Sequence, residues 1–67
     1  MIEDVTLKDD CLTIVKDGSR MGMMLTGMMT APYRLEHWDS EKIVIIANEE
    51  YRHVLDEQGH FIKSEPY

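Results

Sequence analysis

Three histidines and one cysteine are the side chains of this sequence best suited to metal binding or nucleophilic chemistry. The histidines are His37, His53 and His60, and the cysteine is Cys11. Zinc requires several ligands in a tetrahedral arrangement, and the sequence contains none of the short histidine spacings that build such sites. We therefore expect solvated or edge histidines, with no bound metal and no cofactor.

The last two histidines are predicted to lie on opposite arms of one hairpin. Between them, Asp56–Gly59 is suited to a type I turn that a glycine closes in the left-handed region. The register that follows pairs Val54 with Ile62. It sends the side chains of His53 and His60 to opposite faces, so we do not expect them to chelate one ion.

The surroundings of the other candidate groups do not favour catalysis. Cys11 directly follows two aspartates, whose negative charge disfavours a thiolate. A single thiol also cannot form an internal disulfide, which argues against a disulfide-stapled secreted domain. The paired carboxylates lie in predicted turns, where water stabilises the charged form; they are Asp9–Asp10, Glu49–Glu50 and Asp56–Glu57. We predict that the protein is not an enzyme, and a minimal enzyme that combines a histidine with a carboxylate is the least supported alternative.

The elements that position these residues are predicted to be β-strands, because apolar and polar residues alternate with a period of two along most of the chain. A two-residue turn at Asp9–Asp10 pairs Leu7 with Leu12 and Thr6 with Thr13. One face of this hairpin is then apolar, and the other carries a threonine pair.

Two further segments have the pattern of strands. Tyr33–Trp38 alternates, with Leu35 and His37 on one face and Trp38 on the other. Ile43–Ala47 is apolar on both faces and rich in β-branched residues, which marks it as the most central strand of the chain.

The methionine segment Met21–Met29 has two interpretations. As a strand, it places alternate methionines on one face; as a helix with Ser19 at its N-cap, it forms an apolar stripe. Gly22 and Gly27 weaken a helix, whereas in a strand they can mark bends. We favour the strand.

These patterns predict an all-β fold, or a β-rich α+β fold if the methionine segment is helical. The expected architecture is a small antiparallel meander of about six short strands, as a curled sheet or a small barrel. We expect residues 1–63 to form a single domain and residues 64–67 to form a frayed C-terminal tail.

The acidic composition limits the classes of partner. The chain has 67 residues, with 7 lysines and arginines against 13 aspartates and glutamates and a net charge of −6. Binding to a nucleic-acid backbone requires clustered positive charge, so nucleic acid is not an expected partner. No apolar run approaches the length of a membrane span, and the first residues do not resemble a signal peptide. We therefore expect a cytoplasmic protein with no membrane partner.

The sequence favours a small acidic interaction protein that docks on a larger protein. Flexible methionines and aromatic residues within a rim of carboxylates are suited to this task. Small inhibitors encoded by phages or mobile elements share this size and charge. The predicted partner-binding residues are Met21, Met23, Met24, Met28, Tyr33, Trp38, Glu49 and Glu50.

An alternative of another class is a homo-oligomer that binds a small molecule between subunits. Exposed edge strands can pair between copies, which places the ligand near Thr26, Thr30 or His37. The acidic turns either imitate the phosphate spacing of nucleic acid or serve solubility, and we favour solubility.

Overall fold

The computed structural model describes residues 1–67 and contains only strands, turns and loops. Its seven strands are β1 (Ile2–Lys8), β2 (Cys11–Lys16), β3 (Ser19–Met24), β4 (Tyr33–Trp38), β5 (Lys42–Ala47), β6 (Tyr51–Asp56) and β7 (Phe61–Pro66). With no helix among its elements, the chain has no helical segment with the length and apolarity that a membrane crossing requires.

The strands form two antiparallel sheets, each a meander in chain order. The first sheet has the order β1-β2-β3, and the second has the order β4-β5-β6-β7. This arrangement confirms the predicted all-β antiparallel meander, with one strand more than the sequence patterns indicate. The two sheets do not close into a barrel.

The β1–β2 hairpin has the predicted register. Leu7 lies opposite Leu12, and Thr6 lies opposite Thr13. Asp9 adopts a left-handed conformation with a φ of 54°, which a tight turn requires and which aspartate tolerates better than most residues. Because the turn fixes the register, it also puts the apolar side chains of both strands on one face.

The apolar faces of the two sheets pack against each other and form one core. Its buried members are Ile2, Val5, Leu12, Ile14, Leu25, Ile43, Ile45 and Leu55. Strand β5 lies inside its sheet, and every residue of Ile43–Ala47 is buried. The prediction that this segment is the most central strand is therefore confirmed.

A bulge in β4 changes the faces predicted for its last residues. The register with β5 shifts between Leu35 and His37, so that Trp38 lies opposite Ile43 and His37 opposite Val44. Trp38 therefore packs against the core, while His37 points to the outer face. The predicted alternation was wrong here because one extra residue reverses every side chain that follows it.

A second bulge shifts the last hairpin. Leu55 lies opposite Phe61 as the predicted turn requires, but Val54 lies opposite Lys63. The predicted pairing of Val54 with Ile62 was wrong, because two residues of β7 oppose one residue of β6 at this point.

The methionine segment is a strand only in its first half. Strand β3 covers Ser19–Met24, and the buried Leu25 then accepts backbone hydrogen bonds from Met28 at 2.9 Å and Met29 at 3.2 Å. Gly27 takes a left-handed φ of 87° in this turn. The preference for a strand is confirmed up to Met24 and was wrong beyond it, because the glycine supports a tight turn there.

The C-terminal residues belong to the second sheet. Ser64 lies opposite His53 and Pro66 opposite Tyr51, so both are part of β7. Tyr67 N donates a hydrogen bond to Glu50 O at 2.9 Å. Residues 64–66 therefore pair with β6. The expectation of a frayed tail was wrong for these residues, because they form part of the β-ladder.

A layer of charged and aromatic side chains covers the outer face of β5. Ile46 lies between Arg34 and Arg52 in the register and is fully buried. The ring centroid of Tyr67 is 5.2 Å from the Arg34 guanidinium carbon and 5.4 Å from that of Arg52. The alkyl stems of the arginines and the tyrosine ring can thus shield Ile46 while the charged groups stay in water.

We predict that Tyr67→Ala lowers the free energy of unfolding by about 1 kcal/mol, because solvent then reaches the apolar surface of Ile46. Urea denaturation measures the change. Tyr67→Phe should lose less, because it keeps the ring and removes only the hydroxyl that accepts a hydrogen bond from Arg34. Equal losses in Tyr67→Ala and Tyr67→Phe would contradict a role of the ring in covering Ile46.

Candidate partner-binding site

Four of the predicted binding residues contribute to the core. Met21, Met23, Tyr33 and Trp38 are half-buried and pack against the core cluster. Met23 also lies directly against Gly59, and a Cβ added at Gly59 would collide with the Met23 thioether. These side chains therefore offer only part of their surface to a partner.

The other four predicted residues are more exposed but do not form one surface. Met24 is 57% exposed and Met28 is 38% exposed. Glu49 accepts a hydrogen bond from Arg34 Nε at 2.7 Å, and this contact lowers the pKa of Glu49 below its usual value. The Glu50 carboxylate accepts a hydrogen bond from the side-chain amide of Asn48.

The β1–β2 turn carries two aspartates that have no cationic partner. Asp10 is fixed in place because its backbone oxygen accepts a hydrogen bond from Leu25 N at 2.8 Å. Its carboxylate also accepts one from the Thr26 hydroxyl at 3.3 Å. Neither Asp9 nor Asp10 takes part in any of the ion pairs of the chain.

A cleft of about 690 Å³ opens beside this turn, between the free edges of β1 and β4. A backbone hydrogen bond from Ile2 N to Ser40 O, 2.8 Å long, joins the two sheets at the opposite end of β1. The cleft is lined by Leu7, Asp9, Asp10, Ala31, Pro32, Tyr33, Arg34 and Leu35. It thus combines an apolar wall with two carboxylates.

The edge of β4 has unpaired backbone groups along this cleft. In an antiparallel pair, successive residues direct their N–H and C=O groups alternately toward the partner strand and away from it. Asn48 N donates to Pro32 O at 2.7 Å. By alternation, Arg34 is then the next residue of β4 whose N–H and C=O groups point toward β5. The backbone groups of Tyr33 and Leu35 therefore point to the free edge.

The same argument applies to β1. Because Leu25 N donates to Asp10 O, the backbone groups of Leu12 point toward β3. Leu7, which lies opposite Leu12, then directs its N–H and C=O groups away from β2 and toward the cleft. Both walls of the cleft consequently offer hydrogen-bonding groups of the backbone.

A second depression, of about 470 Å³, lies on the outer face of the first sheet. It is lined by Thr6, Lys8, Asp9, Asp10, Cys11, Thr13 and Met24. The two aspartates belong to both hollows and stand between them. We call the cleft, this depression and the aspartate pair together the turn surface.

Another exposed surface is the inner face of β6 and β7, which the smaller sheet leaves open. The rings of Tyr51 and His53 stack with centroids 6.1 Å apart, and those of His53 and Phe61 with centroids 5.2 Å apart. His53 Nδ1 is hydrogen-bonded to Ser64 Oγ at 2.7 Å. We call Tyr51, His53 and Phe61 the aromatic ladder.

The structure does not bring the three histidines together. His37 lies on the outer face with its Nδ1 3.6 Å from Glu36 Oε1, and His60 lies after the last turn with its Nδ1 3.9 Å from Asp56 Oδ2. His53 belongs to the aromatic ladder. No group of three or more histidine, cysteine, aspartate or glutamate side chains is placed to hold a metal ion.

Sequence patterns identify these surfaces only in part. They predict Asp9 and Asp10 as turn residues and do not single out the aromatic ladder. The spacing of Tyr51 and His53 does indicate that these two rings share a strand face. The cleft has no signal in the sequence, because it depends on how the two sheets meet.

Comparisons with known protein families, with characterised proteins and with solved structures find no match for this chain. No family is therefore assigned. A fold alone does not determine what a protein does, so the function is argued from the chemistry of the surfaces described above.

We predict that stability falls as the pH falls through 6.5, because of His53. Burial lowers the pKa of His53 below its ordinary value of 6.5, so the unfolded chain takes up the proton first. Protonation then favours unfolding, and the stability present at pH 7.5 is partly lost at pH 5.5. Urea unfolding at the two pH values measures this difference.

His53→Phe should remove most of this pH dependence while keeping a ring in the aromatic ladder. His60→Phe is the matched control, because the His60 side chain is 75% exposed. The control should keep the slope of the parent protein. If both variants lose the slope to the same extent, the assignment to His53 is wrong.

Proposed function

We propose that this protein is a small, non-enzymatic interaction protein that docks on a basic region of a larger protein through the turn surface. The observation that carries the proposal is the position of Asp9 and Asp10. They are two carboxylates without cationic partners, and they stand between two partly apolar hollows. A surface of this composition suits a partner that supplies positive charge together with apolar side chains.

The charge balance of the chain supports a basic partner. The net charge is −6, and the two arginines of the outer face are already engaged by the chain itself. Arg34 forms an ion pair with Glu49, and Arg52 forms one with Glu36. On the turn surface, the two aspartates outnumber the single cation of the depression, Lys8, so a net negative charge faces an approaching molecule. A negative field of this kind speeds the association of a cationic partner.

Occlusion of the partner's surface is the mechanism that these features support. The protein would act by covering a functional region of the target, as an inhibitor does. Cys11 is a free thiol, which fits a reducing compartment, and we place the interaction in the cytoplasm.

A second candidate function is the binding of a small molecule in the cleft, because the volume of about 690 Å³ lies within the range of small-molecule sites. The places expected for a ligand in the sequence analysis were Thr26, Thr30 and His37, and none of these residues lines the cleft. A cleft between edge strands would also allow the chain to associate with a second copy.

Removal of the two charges tests the proposal. We predict that Asp9→Asn with Asp10→Asn weakens binding to the physiological partner about tenfold or more, and that the loss is largest at low salt. Asparagine keeps the shape of both residues and tolerates the left-handed φ of Asp9. The partner is identified by affinity capture from native cell extract, and its affinity is then measured by calorimetry with purified components.

The matched control is Asp17→Asn with Glu41→Gln. It makes the same change in net charge at two exposed positions outside the turn surface, and Asp17 also has a left-handed φ, of 49°. The control should bind about as well as the parent protein. An equal loss of affinity in both variants would show that net charge alone causes the effect, and it would contradict the turn surface as the docking site. Capture of a small molecule with no protein partner would favour the second candidate.

A further inference from the structure

We infer that the cleft binds an extended basic segment of the partner as an additional strand along the free edge of β4. This inference rests on the proposed function and specifies the form that the partner takes at the turn surface. The occupant is a stretch of polypeptide with alternating apolar and basic residues, rather than a folded surface, a small molecule or a second copy of the chain.

The backbone of β4 supplies the first argument. The N–H and C=O groups of Tyr33 and Leu35 point to the free edge and have no partner strand. Unpaired edges of this kind pair readily with another chain, and main-chain hydrogen bonds then supply affinity. The cleft includes the continuous run Ala31–Leu35, along which a paired segment of about five residues would extend on the order of 16 Å.

The walls of the cleft supply the second argument. Leu7 from β1 faces the cleft together with Pro32, Tyr33 and Leu35, so one face of an inserted strand meets apolar side chains. Because strand side chains alternate, the apolar residues of the segment would recur with a period of two. This periodicity distinguishes a strand from a compact ligand.

The charges around the cleft supply the third argument. Asp9 and Asp10 line the end near the β1–β2 turn and have no cationic partner. Arg34 also lines the cleft, but its guanidinium is bound to the Glu49 carboxylate and the Tyr67 hydroxyl. A lysine or arginine at the end of the segment would therefore meet two carboxylates that no ion pair of the chain neutralises, while Lys8 lies on the side of the depression and not in the cleft.

The other free edges are less suited to this occupant. Ser64 and Pro66 face the free edge of β7, and proline has no N–H group to donate. The edge of β1 contributes only Leu7 to the cleft and continues into the cationic Lys8. Strand β4 combines backbone groups, apolar wall and adjacent carboxylates.

Amide hydrogen exchange followed by NMR tests the inference with a defined probe. The probe is a nine-residue peptide of alternating valine and lysine, added in excess to the full chain. We expect the exchange of the Tyr33 and Leu35 amides to slow about tenfold or more on binding. The amides of Gly22 and Ser64, which face the free edges of β3 and β7, serve as internal controls and should keep their exchange rates.

Two matched peptides separate the backbone from the charge. The same peptide with N-methylated valines keeps its charge, but methyl groups between the two strands prevent close approach of its carbonyl oxygens to the Tyr33 and Leu35 amides, so it should not protect them. A valine–glutamate peptide keeps the backbone and reverses the charge, and it should bind at least about tenfold more weakly than the lysine peptide.

The outcomes distinguish this inference from the proposed function. If the valine–lysine peptide fails to bind, or binds without protecting Tyr33 and Leu35, strand addition to β4 is wrong. Slower exchange of the Leu7 amide alone would also overturn strand addition to β4, because the peptide would then pair with β1. In each case the aspartate variants still decide whether the turn surface is the docking site, since they are measured on the whole partner.

Discussion

The structure depends on the exclusion of water from both faces of Ile43–Ala47. This strand is apolar throughout, and a chain of 67 residues has few elements with which to cover it. The smaller sheet covers the inner face through an interlocked apolar core. On the outer face, the alkyl stems of two arginines and the Tyr67 ring shield Ile46. Amphipathic side chains thus cover this face in place of a third layer of secondary structure.

This solution leaves two surfaces that the fold does not cover. Three strands face four, and the part of the inner face of β6 and β7 that carries the aromatic ladder remains exposed, while Leu55 on the same face is buried in the core. On the other side, β1 and β4 are both edge strands, and the sheets separate there to form the cleft. Both surfaces follow from the mismatch between the two sheets, but only the cleft combines apolar walls with free backbone groups and unpaired carboxylates.

Sequence patterns were reliable where a local rule determines the structure. The Asp9–Asp10 turn fixes the register of its hairpin, and the β-branched run of Ile43–Ala47 predicts a strand that is buried on both faces. They failed at the two bulges, where the extra residues at Glu36 and in Phe61–Ile62 follow from the packing of the whole sheet. The cleft could not be predicted from the sequence, because its carboxylates and its apolar wall come from segments that are distant in the sequence.

The cleft persists because β1 and β4 are poorly matched to each other. Each strand carries a register shift, between Ile2 and Asp4 in β1 and between Leu35 and His37 in β4. Bulges increase local twist and turn an edge away from a neighbour, which opposes direct pairing of the two edges and uncontrolled pairing with other copies. The unbulged stretches that remain, near Leu7 and Tyr33, are those that line the cleft. The chain thus protects most of its exposed edge and leaves open the part beside its unpaired carboxylates.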